Sequence, residues 1–594
     1  MLIKHILKTK CVKNTGLNSK KAISVILIAI IPFVEFILFE NVLENLVYVF
    51  ANFNVVILNA LLWYVLYLGI FVITADSFAT TAVLSIVSYV IAVANYYVTQ
   101  FRGTPIMPVD INSIATAGKV AAGYSYNITS NMVISILGLL VINTLAFFSR
   151  IKCKKIKTRL LLLILTLLAV GLIYTGELYS LFDMPEVDFV QMRESYSNGG
   201  YFATTLNVMR YYRAQIPENY SIDNVEYIDS LISDAESDYI AKALPDNIII
   251  IMNESLCDLS VLGELNTQEE ILPYIKGAEE LNVGIAMSSA YGGGTANSEW
   301  EFLTGNTVAF IPNGTVAYNM YVKEGAASIL DAMKLYNYKC IAYHPFEKTN
   351  YNRTEVYNIF GFDEFYGQED YDGELVRNYV SDLSDYKNII KMCEENDGRL
   401  FIFNVTMQNH SGYDDANYEN NVSIEDYPGE FPMAEQYLGL VNESDRAFEY
   451  LIKYFSKSDE KTLILMFGDH QPKLEDEFYT AVRNDDEIQK LFATIYVAWA
   501  NYNIDYDWPG VASLNYLGID MLEALGMELT DYEKFVLMSQ DYIPYINVNG
   551  YADNAYVTHQ ITSTEDSIIN TYNILQYNNL FDNNRVDSIY KYVN

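Results

Sequence analysis

Residues 246–255 read D-N-I-I-I-I-M-N-E-S, and residues 461–472 read K-T-L-I-L-M-F-G-D-H-Q-P. Each stretch contains a short apolar run bounded by polar residues, a pattern typical of a strand that is buried on both faces of a sheet. The first run ends at Glu254, and the second ends at Asp469 and His470. Because ligands gather beyond the carboxyl ends of parallel strands, these three side chains are predicted to share one site.

Two further apolar runs end at His344 and His410. A histidine at one strand end is often only a structural residue. The chain has five histidines, however, and His344, His410 and His470 all stand at such endings. The other two, His5 and His559, lie near the termini. This distribution indicates a metallo-hydrolase or transferase site rather than three unrelated structural histidines.

Residues 291–305 read Y-G-G-G-T-A-N-S-E-W-E-F-L-T-G. The three glycines allow the backbone to approach a ligand closely, and Thr295 follows them at the start of a predicted helix. An ordinary helix cap is the alternative role for Thr295. A hydroxyl beside the free N–H groups of a helix terminus can instead attack phosphorus, while those groups bind phosphoryl oxygens. A metal on Glu254, Asp469 and His470 would lower the pKa of that hydroxyl.

Five apolar runs of roughly 18 to 22 residues are long enough to cross a bilayer. They cover residues 22–39, 54–75, 80–99, 131–149 and 160–178. Lysines before the first run and basic residues between the last two place the amino terminus in the cytoplasm and everything after about residue 180 outside. A cleaved signal peptide is the competing interpretation of the first run, but four more runs and no A-x-A sequence argue against it. Glu35 in that run is either functional or close to the outer interface.

Charge is distributed very unevenly along the 594 residues. Residues 1–160 carry a net charge of +9 and the remainder −45, within a total of −36. Nucleic acid is an improbable partner for so acidic an outer part, because binding it requires cationic side chains. Cys257, Cys340 and Cys393 fall on the outer side, where their spacing allows at most one disulfide and shows no zinc framework.

Four segments are predicted from these patterns. They are a five-helix transmembrane domain (1–180), a juxtamembrane amphipathic linker (181–243), an α/β catalytic domain (244–545) and a C-terminal extension without a motif (546–594). The connection over residues 101–130 is either an ordered outer loop or a spacer.

Five motifs follow one another in a familiar order. They are E-S at 254–255, G-G-T-A-N-S-E-W-E-F-L-T-G at 293–305, N-Y-N-R at 350–353, M-Q-N-H at 407–410 and G-D-H at 468–470. With them the chain resembles the lipoteichoic acid synthases, membrane phosphoglycerol transferases of the alkaline phosphatase and sulfatase superfamily. The resemblance implies a multi-pass protein of a bacterial cell membrane, with five helices and an extracellular α/β/α sandwich around a mostly parallel sheet.

The resemblance also implies roles for individual residues. Glu254, Thr295, Asp469 and His470 would bind one divalent cation, commonly Mn²⁺ in this family, with Mg²⁺ as the alternative. Thr295 would also be the nucleophile. The substrate-binding residues would be Arg353, His410, His344 and Tyr351. The chain departs from the family pattern at Asn350, where an aromatic residue is usual, and at Phe346, where a polar residue is common, so the transferred head group is left open.

The implied reaction moves glycerol phosphate from phosphatidylglycerol, through a phospho-threonine intermediate, to a hydroxyl of a glycolipid or glycerophosphate polymer. Three alternatives remain. A phosphoethanolamine transferase would keep the metal and the threonine and change the head-group pocket. A sulfatase is disfavoured because T-A-N-S-E lacks the C/S-x-P-x-R context of formylglycine. The third is a non-catalytic envelope protein that binds lipid or polymer.

Overall fold

The computed structural model describes residues 19–102, 105–108, 110, 127–185, 187, 192–211, 214–233, 244–312, 314–370, 373–485, 487–552, 556 and 562–592. The chain divides into two compact units, Met1–Arg213 and Ala214–Asn594. Most of the 101–130 connection, together with His5 and His559, lies outside the described residues. The predictions made for these positions therefore have no structural counterpart.

The described part of the first unit is helical. Its helices are α1 Ser19–Val42, α2 Leu46–Ala51, α3 Phe53–Thr74, α4 Ser77–Arg102, α5 Ser130–Phe148, α6 Ile156–Thr175, α7 Glu177–Leu181, α8 Met192–Gly199 and α9 Tyr201–Tyr211. Within the described residues, four of them (α3 to α6) are long and apolar enough to cross a membrane. These four match the predicted runs from 54–75 onward. The run at 22–39 lies within α1, which is not among the four, so a total of five spans stays a prediction.

Helices α8 and α9 pack into the core of the first unit. Tyr201 and Ala203 are buried there. The Glu40 carboxylate accepts the backbone N–H of Tyr201 at 2.9 Å, and the Asn59 side chain accepts that of Ala203 at 3.1 Å. Gly200 has φ +76°, and a Cβ there would lie 2.5 Å from the Asn59 amide nitrogen. Glycine is therefore required at the break between the two helices, which lie inside the range predicted as a linker.

The second unit is built on an eight-stranded sheet with strand order β10-β2-β9-β8-β1-β7-β3-β4. These strands are β1 Asn247–Asn253, β2 Asn282–Met287, β3 Lys339–Tyr343, β4 Glu364–Tyr366, β7 Leu400–Val405, β8 Thr462–Gly468, β9 Ala493–Ala500 and β10 Val511–Ser513. Strand β9 runs antiparallel to β2 and β8, and the other pairs are parallel. Two small hairpins complete the strands: β5 Leu375–Val376 with β6 Tyr379–Val380, and β11 Tyr545–Asn547 with β12 Gly550–Ala552. The predicted α/β domain with a mostly parallel sheet is confirmed.

Helices connect the strands of this unit. They are α10 Ile222–Ser233, α11 Pro273–Gly277, α12 Thr295–Thr304, α13 Ala317–Met320, α14 Ile329–Leu335, α15 Arg353–Phe360, α16 Asp382–Glu394, α17 Pro432–Phe455, α18 Asp476–Val482, α19 Leu514–Ala524, α20 Asp531–Gln540, α21 Ser563–Phe581 and α22 Asp587–Tyr590. Every residue of β1 is buried. Ile248 and Ile250 share a core with Trp300 of α12. Tyr386 of α16 contacts Met466, whose neighbours on β8 belong to that core. Because side chains alternate across a strand, helices cover both faces of the sheet.

Strand register brings the predicted site residues together. Strand β1 lies between β7 and β8, and Asn253 at its end pairs with Gly468. The next residues, Glu254 and Asp469, therefore leave the sheet side by side. Strands β7 and β3 end at the same edge, because both run parallel to β1 or to each other, and they are followed by the segments that carry His410 and His344.

The C-terminal residues pack against the second unit. Gln576 of α21 bonds the backbone N–H and carbonyl of Thr307 at 2.7 and 2.8 Å. Tyr220, just before α10, donates to Asp582 at 2.6 Å. The predicted C-terminal extension thus contacts both the segment after α12 and the segment before α10.

The three cysteines predicted on the outer side are free and buried. Cys340 lies on β3 and Cys393 on α16, while the Cys257 sulfur is 3.1 Å from the Tyr437 hydroxyl. No disulfide joins them in the part of the chain that the structure describes.

Candidate metal centre and active site

Glu254, Asp469 and His470 form a buried cluster whose ligand-type atoms all lie within 4.8 Å of one another. The His470 Nδ1–H donates to the backbone carbonyl of Gln471 at 2.9 Å. Its Nε2 is 3.3 Å from Asp469 Oδ2 and 3.7 Å from Glu254 Oε1. The backbone contact on one side of the ring thus turns the other ring nitrogen toward the two carboxylates.

Asp469 makes several hydrogen bonds, but one of its two carboxylate oxygens makes none with the described residues. Its Oδ1 accepts the backbone N–H groups of Ser255 at 2.7 Å and His470 at 2.9 Å. Its backbone carbonyl accepts the hydroxyls of Ser288 at 2.6 Å and Ser298 at 2.7 Å. Oδ2 is buried and has no hydrogen-bond partner among the described residues. A buried carboxylate oxygen without a donor is a place for a cation.

Burial and the closeness of the three side chains shift the pKa of each group in the cluster. Burial raises the pKa of Asp469 to about 6 and also raises the pKa of Glu254. Burial lowers the pKa of His470, but the carboxylates of Asp469 and Glu254 outweigh it, so the pKa is raised overall. Two acids and a histidine in this state retain protons that a divalent cation would displace. One nitrogen and several carboxylate oxygens fit Mn²⁺ or Mg²⁺.

Thr295 begins α12 beside this cluster. The preceding Gly292, Gly293 and Gly294 have φ angles of +65°, +147° and +104°, which are conformations that favour glycine. The Gly292 N–H donates to the Gln471 carbonyl at 2.9 Å, which ties the glycine loop to the segment after β8. The Thr295 side chain is buried, and it offsets a small part of the rise that burial causes in the pKa of Asp469. The structure therefore brings Glu254, Asp469 and His470 together in one cluster, with Thr295 near Asp469.

Arg353 is buried in an ion pair that the sequence did not reveal. Its Nη2 and Nε donate to Glu299 Oε1 at 2.6 and 2.9 Å, and the Tyr357 hydroxyl donates to Oε2 at 2.5 Å. The guanidinium carbon lies 5.2 Å from the ring centre of Tyr351, which has φ +54°. Glu299 stands four residues after Thr295 on α12, so the two share a helix face. The four-residue spacing between Thr295 and Glu299 was the sequence feature that could have indicated a role for Glu299.

His344 and His410 are both neutral. The His344 Nδ1–H donates to the Val405 carbonyl at 2.9 Å, so its Nε2 carries a lone pair. Burial and then the charge of Arg353 hold the pKa of His344 well below its usual range. Burial, with the charge of His470, lowers the pKa of His410 to about 4. The charges of Arg353 and His470 thus add to the effect of burial at these two histidines.

The β5–β6 hairpin fixes His410, and no sequence motif indicated this role. The Arg377 Nη2 donates to the backbone carbonyls of His410 at 2.6 Å and Gln408 at 3.1 Å. The Tyr379 hydroxyl lies 3.2 Å from His410 Nδ1. Phe346, one of the departures from the family pattern, packs its ring 6.4 Å from that of Tyr379. The hairpin is distant in sequence from His410, so only the tertiary structure shows the contact.

Comparison with known proteins finds one family match and several relatives. The Sulfatase family profile matches residues 246–511. A putative cyclic beta-1,2-glucan modification protein of Rhizobium meliloti is 30% identical over 58% of this chain and 55% of its own length. Lipoteichoic acid synthase 2 of Bacillus subtilis is 24% identical over 39% of this chain and 36% of its own length. The chain thus spans about half or less of these relatives.

Among solved structures, the Streptococcus pyogenes phosphoglycerol transferase GacH in complex with sn-glycerol-1-phosphate superposes with a TM-score of 0.54. It is 19% identical and covers 64% of this chain and 100% of its own. At that identity the likeness concerns the fold. Residues 246–511 are therefore similar to the sulfatases, and lipoteichoic acid synthases are among the relatives of this chain.

Proposed function

We propose that the protein is a metal-dependent phosphotransferase that moves glycerol phosphate from phosphatidylglycerol, through a phospho-threonine on Thr295, to a hydroxyl of a cell-envelope glycan, polymer or glycolipid. The observation that carries the proposal is the position of the Thr295 hydroxyl. It lies at the amino terminus of a ten-residue helix and near the Asp469 carboxylate, whose pKa it lowers slightly against the larger effect of burial, beside the buried cluster with Glu254 and His470. A nucleophile, an acceptor for its proton and a cation site thus meet.

The chemistry follows from those groups. The Thr295 oxygen attacks the donor phosphorus, and the bond from phosphorus to the diacylglycerol oxygen breaks. The hydroxyl proton has the Asp469 carboxylate as its nearby acceptor and the leaving diacylglycerol oxygen as its destination. N–H groups at the start of α12 bind the phosphoryl oxygens. An acceptor hydroxyl then attacks the same phosphorus, and the Thr295 oxygen leaves with a proton.

Glu254, Asp469, His470 and Thr295 are the residues that would hold a divalent cation. When bound, such an ion neutralises phosphoryl charge and favours the ionised threonine hydroxyl. The residues fit this role because Asp469 Oδ2 has no donor among the described residues and His470 directs Nε2 toward the carboxylates. Arg353 adds positive charge nearby while Glu299 holds it in place.

Glycerol suits the head-group side of this site better than ethanolamine. The Arg353 and Arg377 guanidinium carbons lie 5.2 and 5.8 Å from the ring centres of Tyr351 and Tyr379. An ammonium head group would compete with these cations for the same aromatic faces. The lone pair on His344 Nε2 can accept a hydrogen bond from a glycerol hydroxyl instead. Phosphoethanolamine transfer is therefore the second candidate.

The membrane helices favour a lipid as the donor of the phosphoryl group. Apolar helices keep the chain in the same bilayer as phosphatidylglycerol, whose acyl chains cost about 0.8 kcal/mol per CH₂ to expose. The basic residues before α1 and between α5 and α6 support an outer location for the active unit. For the acceptor, the name of the Rhizobium meliloti relative makes a glucan the first class to test.

Mass spectrometry of the full chain tests the proposal. The detergent-solubilised protein is incubated with labelled phosphatidylglycerol and Mn²⁺, and a glycerophosphate adduct on Thr295 is expected. Thr295→Ala should abolish the adduct. Thr304→Ala is the matched control, because this buried threonine lies at the other end of the same helix, where its hydroxyl donates to the Trp300 carbonyl at 2.6 Å and accepts the Asn306 N–H at 3.2 Å. If a parallel incubation with phosphatidylethanolamine alone gives an adduct, ethanolamine phosphate replaces glycerol phosphate as the transferred group, and no adduct from either lipid with any divalent cation would refute the transferase.

A further inference from the structure

Two aspartates one turn apart on α16 lie behind the metal centre and have different neighbours. Asp382 and Asp385 both have no exposed side-chain surface, and both stand in the first turn of the helix. A carboxylate is favoured there by the free N–H groups of the helix terminus. Burial and helix position therefore do not distinguish them, but their hydrogen bonds do.

Asp382 holds the residue that precedes Glu254. Its Oδ2 accepts Asn253 Nδ2 at 2.7 Å and the Ser444 hydroxyl at 2.6 Å. The Asn253 Oδ1 in turn accepts Asn409 Nδ2 at 3.1 Å. The side chain at the end of β1 is thus fixed at both its donor and its acceptor, directly before the backbone leaves the sheet.

A second path runs from Asp382 to Glu254 itself. The Glu254 N–H donates to Thr406 Oγ1 at 3.1 Å. Because the hydroxyl oxygen is the acceptor in that bond, the hydroxyl proton is available to another group. The Thr406 side chain lies near Asp382, because it lowers the pKa of that carboxyl against the larger effect of burial. Asp382 is therefore bonded to the side chain of Asn253 and lies near the hydroxyl that holds the Glu254 amide.

Asp385 is hydrogen-bonded to a different part of the sheet. Its Oδ2 accepts Asn404 Nδ2 at 3.0 Å, and the same amide nitrogen lies 3.2 Å from the Tyr343 carbonyl. These contacts join α16 to β7 and β3. The described bonds of Asp385 thus lead to β7 and β3, while those of Asp382 lead to Asn253, which makes Asp385 a matched control for Asp382.

We propose that Asp382 is a positioning residue for the metal centre, which orients the Glu254 carboxylate through Asn253 and Thr406. The inference rests on the divalent cation site of the proposed function and is independent of the donor, the head group and the acceptor. A carboxylate is needed because it accepts the hydrogen bonds of Asn253 and Ser444 together. A neutral amide would direct its own NH₂ group at one of these donors or lose the charge that strengthens them.

Mn²⁺ titration of the full chain in detergent, by calorimetry after removal of bound metal, tests this role. Groups that orient a metal ligand typically change affinity by about 10- to 100-fold when mutated. Asp382→Asn is expected to raise the Kd for Mn²⁺ by such a factor, while Asp385→Asn changes it less than about threefold. The metal-free unfolding midpoint is measured for both variants, so that affinity can be compared at similar stability.

Thr406→Val provides a second variant that removes one hydroxyl and keeps the side-chain volume. We expect it to weaken Mn²⁺ binding as well, even if Asp382→Asn fails to fold. Wild-type affinity in Asp382→Asn or in Thr406→Val would overturn the proposal, as would equal weakening in Asp385→Asn. A wild-type protein that binds no divalent cation would overturn it too. If the wild type binds Mn²⁺ but forms no adduct with phosphatidylglycerol, the donor assignment fails and the role of Asp382 stands.

Discussion

Two buried acidic regions lie close to the start of α12 and differ in how they are satisfied. Glu299 receives three hydrogen bonds, from the Arg353 guanidinium and the Tyr357 hydroxyl, and its charge is paired. Asp469 lies with Glu254 and His470 and keeps Oδ2 without a donor among the described residues. Burying a charge is costly unless it is paired. The paired region is therefore interpreted as support for the fold, and the open region as a site for a cation.

The largest effect is expected from Asp469→Asn. The change removes a charged ligand from the open cluster, so transfer of labelled glycerol phosphate should fall by about 10³-fold. The metal-free unfolding midpoint should stay the same or rise, because two crowded acids become one. Activity comes from initial rates and the midpoint from thermal unfolding. If the variant lost much stability and kept its activity, the Asp469 cluster would be the region that supports the fold.

Glu299→Gln tests the paired region. It leaves the buried Arg353 charge uncompensated, which typically costs about 3 to 5 kcal/mol of unfolding free energy. Glu301→Gln is the matched control two residues along α12, because that buried acid accepts bonds from Ser289, Thr307 and Val308 and forms no ion pair within the described residues. Urea unfolding should show a much smaller loss for the control. Equal losses would mean that charge pairing is not what stabilises this region.

The pH dependence of stability sharpens the same contrast. The pKa values of Asp469, Glu254 and His470 are all raised in the folded protein. Groups with a raised folded pKa contribute stability at low pH, and this is lost as the pH rises through the folded pKa. For Asp469, whose pKa is about 6, roughly 3 kcal/mol should be lost between about pH 4 and 7.

Bound Mn²⁺ should remove most of this slope, because the ion replaces the protons. The measurement is the unfolding midpoint against pH with and without Mn²⁺. The difference between the two curves cancels groups outside the cluster. Parallel curves would exclude a cation site at these residues.

The smallest effect is expected at the edge of the site. Tyr379→Phe removes the hydroxyl beside His410 Nδ1 and leaves the ring contact with Phe346. Loss of one hydrogen bond of about 1 kcal/mol should raise KM for the donor about fivefold and change kcat less. Steady-state kinetics check this. Tyr418→Phe is the control, since its hydroxyl donates to Glu443 instead. A fall in kcat alone would give Tyr379 a role in the chemical step.

Much of the fold and the centre of the site could be predicted from local patterns. Apolar runs that end at Glu254 and at Asp469 indicated buried parallel strands, and the glycines before Thr295 indicated a close turn into a helix. Their convergence followed from a general property of parallel sheets. The partners of these residues were not predicted, because Glu299, Asp382, Arg377 and Tyr379 lie in segments with no distinctive pattern of their own. The role of the β5–β6 hairpin depends on its packing against a loop some 30 residues away in sequence.

The amino-acid sequence by itself determined the apolar helices, the mostly parallel sheet and the four residues that could hold a cation. These features depend on periodicity and on residue type, which are local properties. Only the tertiary structure decided that Arg353 is paired with Glu299, that α8 and α9 pack within the first unit, and that Asp469 Oδ2 has no donor among the described residues. Whether a buried charge is satisfied depends on atoms contributed by distant segments, and strand register and helix packing alone bring those atoms within hydrogen-bonding distance.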